Sequence, residues 1–128
     1  MIQFVLHLEP VAKGRPRFNC LTRSAYTPSK TRSYEKDLKL FSRRYVPAEP
    51  LRGPIEVEIK FFIPKPRSVK THYPTKRPDL DNYAKAVLDS MNEIFYKDDS
   101  QIVDLRISKR YCSVERPNIC ITIKEHQE

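Results

Sequence analysis

Glycine is scarce in this chain: Gly14 and Gly53 are the only two among 128 residues, and tryptophan is missing altogether. With neither a GxxxxGK[ST] nor a GxGxxG pattern, no glycine-rich loop is available to cradle nucleotide phosphates. The three cysteines, Cys20, Cys112 and Cys120, form no CxxC or Cys/His spacing. Zinc is therefore not expected, and a reducing cytosol is the simplest setting. No apolar run approaches the ~20 residues of a membrane-crossing helix. The opening MIQFVLHLEP carries neither a basic leader nor a small-residue cleavage site, so a secretory signal is not expected. The length fits one domain, residues 1–128, able to bury a core without disulfides or metal.

Positive charge is what the chain has in excess. Residues 1–78 carry 17 Lys/Arg against 6 Asp/Glu, whereas residues 79–128 carry 7 against 10, within a net charge of +8. A basic body with an acidic cluster set into it suggests a polyanion held by the first part and acted on by the second. A solvated basic surface is the plain alternative.

Patterning predicts the elements. Residues 1–8 read as a first strand closed by Glu9-Pro10. In the next segment Lys13, Arg15 and Arg17 alternate with other residues, which in an extended chain puts three cations on one side, facing a phosphate backbone. Residues 22–29 are polar and turn-like. From Lys30 to Tyr45, the residues Tyr34, Leu38, Phe41 and Tyr45 share a helical face. Ile55 to Ile63 alternates as a half-buried strand. Residues 64–78 hold four prolines and five Lys/Arg, including Lys76 and Arg77. That composition predicts a mobile basic loop that orders against a polyanion. Ala84, Val87, Leu88, Met91, Ile94 and Phe95 recur at helical spacing. Ile102–Tyr111 and 119–123 read as strands joined in an antiparallel hairpin. The resulting fold class is α+β, a mixed sheet with two helices on one face in the order β-α-β-α-β-β.

The acidic residues crowd around the second helix. Asp79 and Asp81 precede it, and Asp98-Asp99 follow it in a polar loop. Asp81 alone could be a helix cap. Asp79 is not needed for capping, however, and paired carboxylates repel unless a cation sits between them. Mg²⁺ or Mn²⁺ takes carboxylate and phosphate oxygens together. An EF-hand fails, because Ala84 stands where its glycine is required and Ser90 where its glutamate is. Lys85, one turn after Asp81, either pairs with Asp81 or Asp89 at the surface or reaches the scissile phosphate. Asp89 reads as structural support. The helix ends lie roughly 20 Å apart, so the two acidic groups meet only if the chain turns back after Phe95 along the helix. On these residues, a metal-dependent nuclease competes with a non-catalytic nucleic-acid-binding module.

The run Asp79-Leu80-Asp81-Asn82, with Lys85, Asp89, Asp98-Asp99-x-Gln101-Ile102 and Lys109, resembles the RusA family of Holliday junction resolvases. The resemblance implies a homodimeric, Mg²⁺-dependent endonuclease of bacterial or phage origin. Such an enzyme places paired nicks at four-way DNA junctions during recombination and repair, in the cytoplasm, on the nucleoid. It implies Asp79, Asp81 and Asp99 as catalytic metal ligands, with Asp98 beside them and Lys85 as the essential cation. Lys76, Arg77 and Lys109 join Lys13, Arg15 and Arg17 as the expected DNA contacts. Other branched DNA, or RNA, is the alternative substrate. A two-fold dimer suits a two-fold junction, with the first strand or the last hairpin as candidate interfaces. The sequence departs from the family in Lys76-Arg77-Pro78, where an unbroken basic run is expected.

Overall fold

The computed structural model describes residues 1–13, 17–19, 21, 24–26, 29–112 and 116–126, with only the backbone described at 17–19 and 24–26. Strand β1 (Ile2–Leu6) leads into a short antiparallel pair, β2 (Arg17–Asn19) and β3 (Ser24–Tyr26), and then helix α1 (Ser29–Ser42). Strand β4 (Ile55–Ile63), helix α2 (Leu80–Met91), strand β5 (Ile102–Tyr111) and strand β6 (Asn118–Glu125) complete the order. The result is the predicted α+β architecture, a mixed four-stranded sheet in the order β1-β6-β4-β5.

Strand β4 forms where strict alternation demands it: Ile55, Val57, Ile59 and Phe61 are completely buried. They meet Ile119, Ile121 and Ile123 of β6, Phe4 and Leu6 of β1, and the apolar faces of both helices in one core. The other face of the sheet carries Glu56, Glu58 and Lys60 of β4 with Asp104 and Arg106 of β5. Helices therefore cover one face and charge covers the other.

Three expectations need correction. The last two strands are not a hairpin: β5 pairs with β4 in parallel, and β6 runs antiparallel between β4 and β1. Burial decides this. The fully buried isoleucines of β6 belong in the middle of the sheet, while charged β5 tolerates the edge, where Leu105 is half exposed. The parallel β4–β5 pair in turn requires the long crossover that α2 supplies. Second, Phe41 is exposed, because the buried face of α1 runs through Thr31, Tyr34, Leu38 and Ser42. Third, residues 22–29 are not all turn, since β3 occupies 24–26.

Helix α2 stops earlier than its apolar spacing suggests. Asn92 is already extended, and Glu93 takes a left-handed φ of 66°. Phe95 is buried in the turn that follows and stacks on Phe4 at 5.4 Å between ring centroids. Full burial of such a ring contributes about 2–3 kcal/mol, which pins the loop after α2 to the core.

Candidate active site

Helix α2 is amphipathic along its whole length. Tyr83, Ala84, Ala86, Val87, Ser90 and Met91 face the core, leaving Asp81, Lys85 and Asp89 as an i, i+4, i+8 stripe on the outer side. Asp79 occupies the N-cap position, but its side chain makes no capping hydrogen bond. Its carboxylate and that of Asp81 are left exposed at the positive end of the helix. Just ahead of them, Lys109 of β5 donates to the carbonyls of Lys76 (3.1 Å) and Pro78 (3.0 Å). This clamp ties the end of the proline-rich loop to the sheet. The loop is thus anchored rather than trailing free, and Pro74 is buried.

The second acidic pair sits in a tightly built turn. Asp98 caps a short 3₁₀ turn (Asp99–Gln101), accepting from the Ser100 N–H at 3.4 Å, while Gln101 Oε1 accepts from the Asp98 N–H at 2.9 Å. The Asp99 N–H donates to Asn92 Oδ1 at 3.0 Å, which ties the turn to the end of α2. The Gln101 amide reaches across to the carbonyls of Leu51 (3.0 Å) and Gly53 (2.9 Å). Tyr96, buried below, donates to Leu88 O at 2.8 Å. Burial, reinforced by the charges of Asp99, Asp89 and Asp98, raises its phenol pKa.

Within this turn the two carboxyls differ. A hydrogen bond to Asp98, together with partial desolvation, pushes Asp99 above the ordinary carboxylate range. The same contact and the Ser100 N–H hold Asp98 below it. The Lys85 charge partly offsets the rise at Asp99. Lys85 itself lies 3.5 Å from Asp89.

Of the expected DNA contacts whose side chains are described, Lys13 is the one held by two carboxylates. Its ammonium bridges Glu35 of α1 at 2.6 Å and Asp89 of α2 at 3.0 Å, and it is 22% exposed. Its backbone N–H donates to Asn82 O at 3.0 Å. Burial acts to lower its pKa, but the hydrogen bonds to the two carboxylates outweigh that and hold it above the usual lysine value. Lys13 therefore cross-links the N-terminal segment, α1 and α2. Lys76 and Arg77 are exposed. Arg17 lies in β2 with its side chain outside the described residues, and Arg15 falls outside them entirely.

Asp79 and Asp81 do not meet Asp99 within one chain as expected. Helix α2 has 12 residues, so about 18 Å separates its ends. The turn bearing Asp99 is bonded to the far one, and β5 starts only after it. Among the described residues, the one set of three acidic or histidine ligand atoms mutually within 4.8 Å is Glu56, Asp104 and His126. That set lies at the bulged start of the β4–β5 pair, where His126 Nε2 is 2.7 Å from Asp104 Oδ2. No sequence signal marks it, because strand register alone brings the three together.

The donor chemistry at both ends of α2 fits a hard divalent cation: carboxylate oxygens, those of Asp79 and Asp81 exposed, with a lysine between the two ends. Among the described residues no helix is long and apolar enough to cross a membrane. Residues 7–124 match the family model for Endodeoxyribonuclease RusA. The chain is also 35% identical over 138 aligned residues to "Uncharacterized protein YqaN" of Bacillus subtilis (strain 168), covering 97% of this chain and 96% of that protein. With the family match running over nearly the whole chain, the chain belongs to the RusA family of endodeoxyribonucleases.

Proposed function

We propose that the protein is a homodimeric, Mg²⁺- or Mn²⁺-dependent endonuclease that resolves four-way DNA junctions by paired nicks in recombination and repair. The observation that carries this reading is the pair of exposed, non-capping carboxylates at the head of α2, with Asp99 presented at its tail. A two-fold axis that sets two α2 helices side by side and antiparallel brings the head of each against the tail of the other. Asp79 and Asp81 of one subunit then share a cation with Asp99 of the partner subunit, and Asp98 lies beside it. Two such sites per dimer match two strands to be cut.

When bound, the cation supplies Lewis-acid polarisation of the phosphate and an acidified water. The chain's own groups do the rest. Lys85 stabilises negative charge that builds on the phosphate as the bond breaks. Asp89, at 3.5 Å, keeps that ammonium on the outer face of α2. Lys13 holds Asp89 in turn, and so acts through position rather than on DNA. Arg15, Arg17, Lys76 and Arg77 bind phosphates along the arms, and Lys109 sets the height of the loop over them.

The test is complementation between two inactive chains. Asp81→Asn and Asp99→Asn each lower junction cleavage by at least ~10²-fold while gel-shift affinity is kept. Mixed and refolded together, they regain one intact site per heterodimer and nick one strand. Absence of nicking in the mixture rejects the shared site, and full activity of either variant alone rejects the role of that carboxylate.

A further inference from the structure

Between the proline-rich loop and the ends of β4 and β5 lies a cavity of about 270 Å³. Tyr83, Tyr111 and Val69 line it with prolines of the loop, and Glu9, Lys76 and Arg77 stand around it. We propose that this cavity receives one nucleobase extruded from branched DNA beside the phosphate to be cut. The proposal rests on the nuclease reading and adds how that site would engage its substrate.

Five observations carry it. The volume lies just below the ~300–1,000 Å³ of drug-sized sites, which suits a single ring system. The lining is aromatic and aliphatic, as a planar base requires, and base stacking on such side chains is tolerant of sequence. Glu9 excludes a phosphate from the interior by charge, yet it can accept from an exocyclic amine of a base edge. The cations Lys76 and Arg77 are exposed, where the phosphates flanking an inserted base would lie.

Placement is the fifth observation. Arg77 is two residues from Asp79, and the Lys109 hydrogen bonds to Lys76 O and Pro78 O hold the cavity wall and the head of α2 as one unit. Tyr83 belongs to α2 itself and is set by its stack on Phe61, with centroids 5.4 Å apart. A base seated here is therefore registered against the candidate carboxylates by the same helix. At a branch point stacking is already interrupted, so extrusion costs least there.

The experiment places 2-aminopurine in turn at each position flanking the branch of a four-way junction. Emission is read on binding by the whole protein, in EDTA so that nothing is cut. One position is expected to brighten with the wild type. Val69→Phe, which narrows the cavity from a half-buried loop position, abolishes that rise and weakens binding about 10-fold. Its circular dichroism melt checks that it folds. In Mg²⁺, Glu9→Gln flattens the dependence of cutting on base identity at that position. No brightening on a junction that is bound, or brightening that survives Val69→Phe, overturns the proposal. Brightening without any Mg²⁺-dependent cutting leaves the cavity standing and removes the nuclease reading; cutting without brightening does the reverse.

Discussion

The two ends of α2 carry the same kind of residue and use it differently. At the head, Asp79 and Asp81 make no capping bond, and the local structure is held instead by Lys109 gripping two backbone carbonyls. At the tail, Asp98 caps a turn, Gln101 completes the box, and the Gln101 amide fastens the turn to residues 51–53. Asp98 is thus engaged in the turn, with Asp99 hydrogen-bonded to it. An acidic pair in sequence is built into a turn at the tail, but left exposed with no capping role for Asp79 at the head.

Removing the fastening at each end separates the two cases most sharply. Gln101→Ala strips partners from the carbonyls of Leu51 and Gly53 and from the Asp98 N–H. It is expected to destabilise the fold by about 1–3 kcal/mol, read as a lower midpoint in urea. Lys109→Met removes two hydrogen bonds rather than three, one to the exposed Lys76 carbonyl and one to the part-buried Pro78 carbonyl. The urea midpoint therefore falls less, while cleavage falls about 10-fold or more. Equal stability losses for both variants would erase the contrast.

A smaller effect follows from the neighbouring carboxyls. Because Asp98 pushes the Asp99 pKa up, Asp99 takes a proton at higher pH than an ordinary aspartate as the solution is acidified. Metal binding needs the ionised form, so cleavage fades early on the acid side. Asp98→Asn keeps an acceptor for the Ser100 N–H but removes the charge. The acid limb of its pH–rate profile is expected at lower pH than in the wild type; a shift the other way would assign the raised group to something else.

The smallest change concerns the turn's backbone. Glu93 holds φ at 66°, a region that costs a residue with a Cβ roughly 1 kcal/mol and glycine almost nothing. Glu93→Gly should raise the melting temperature by a few degrees with cleavage unchanged. Loss of activity here would mean that Glu93 contributes its carboxylate as well.

Much of this molecule was legible before any coordinates. Alternation over Ile55–Ile63 marks β4 to the residue, because a half-buried strand leaves a period of two. The spacing from Ala84 onward marks the inner face of α2, and residue types at its two ends mark the candidate ligands. Two misreadings share a cause. Pairing β5 with β6 assumed that neighbours in sequence are neighbours in the sheet. Closing the acidic groups within one chain assumed that the returning strand carries Asp99 back to the head of the helix, whereas β5 runs beside α2 but begins only after Asp99. Both depend on which surface each element buries against the others, and no single segment contains that information.

Local patterning therefore located the four main strands and the two helices, since periodicity, proline and charge act over a few residues at a time. Tertiary packing decided the rest: that β6 inserts between β1 and β4, that Lys13 is neutralised by Glu35 and Asp89, and that the two aspartate pairs stay at opposite ends of one helix. Burial of apolar area is non-directional and collective, so it ranks whole arrangements of the chain. The distance between carboxylates is a consequence of that ranking.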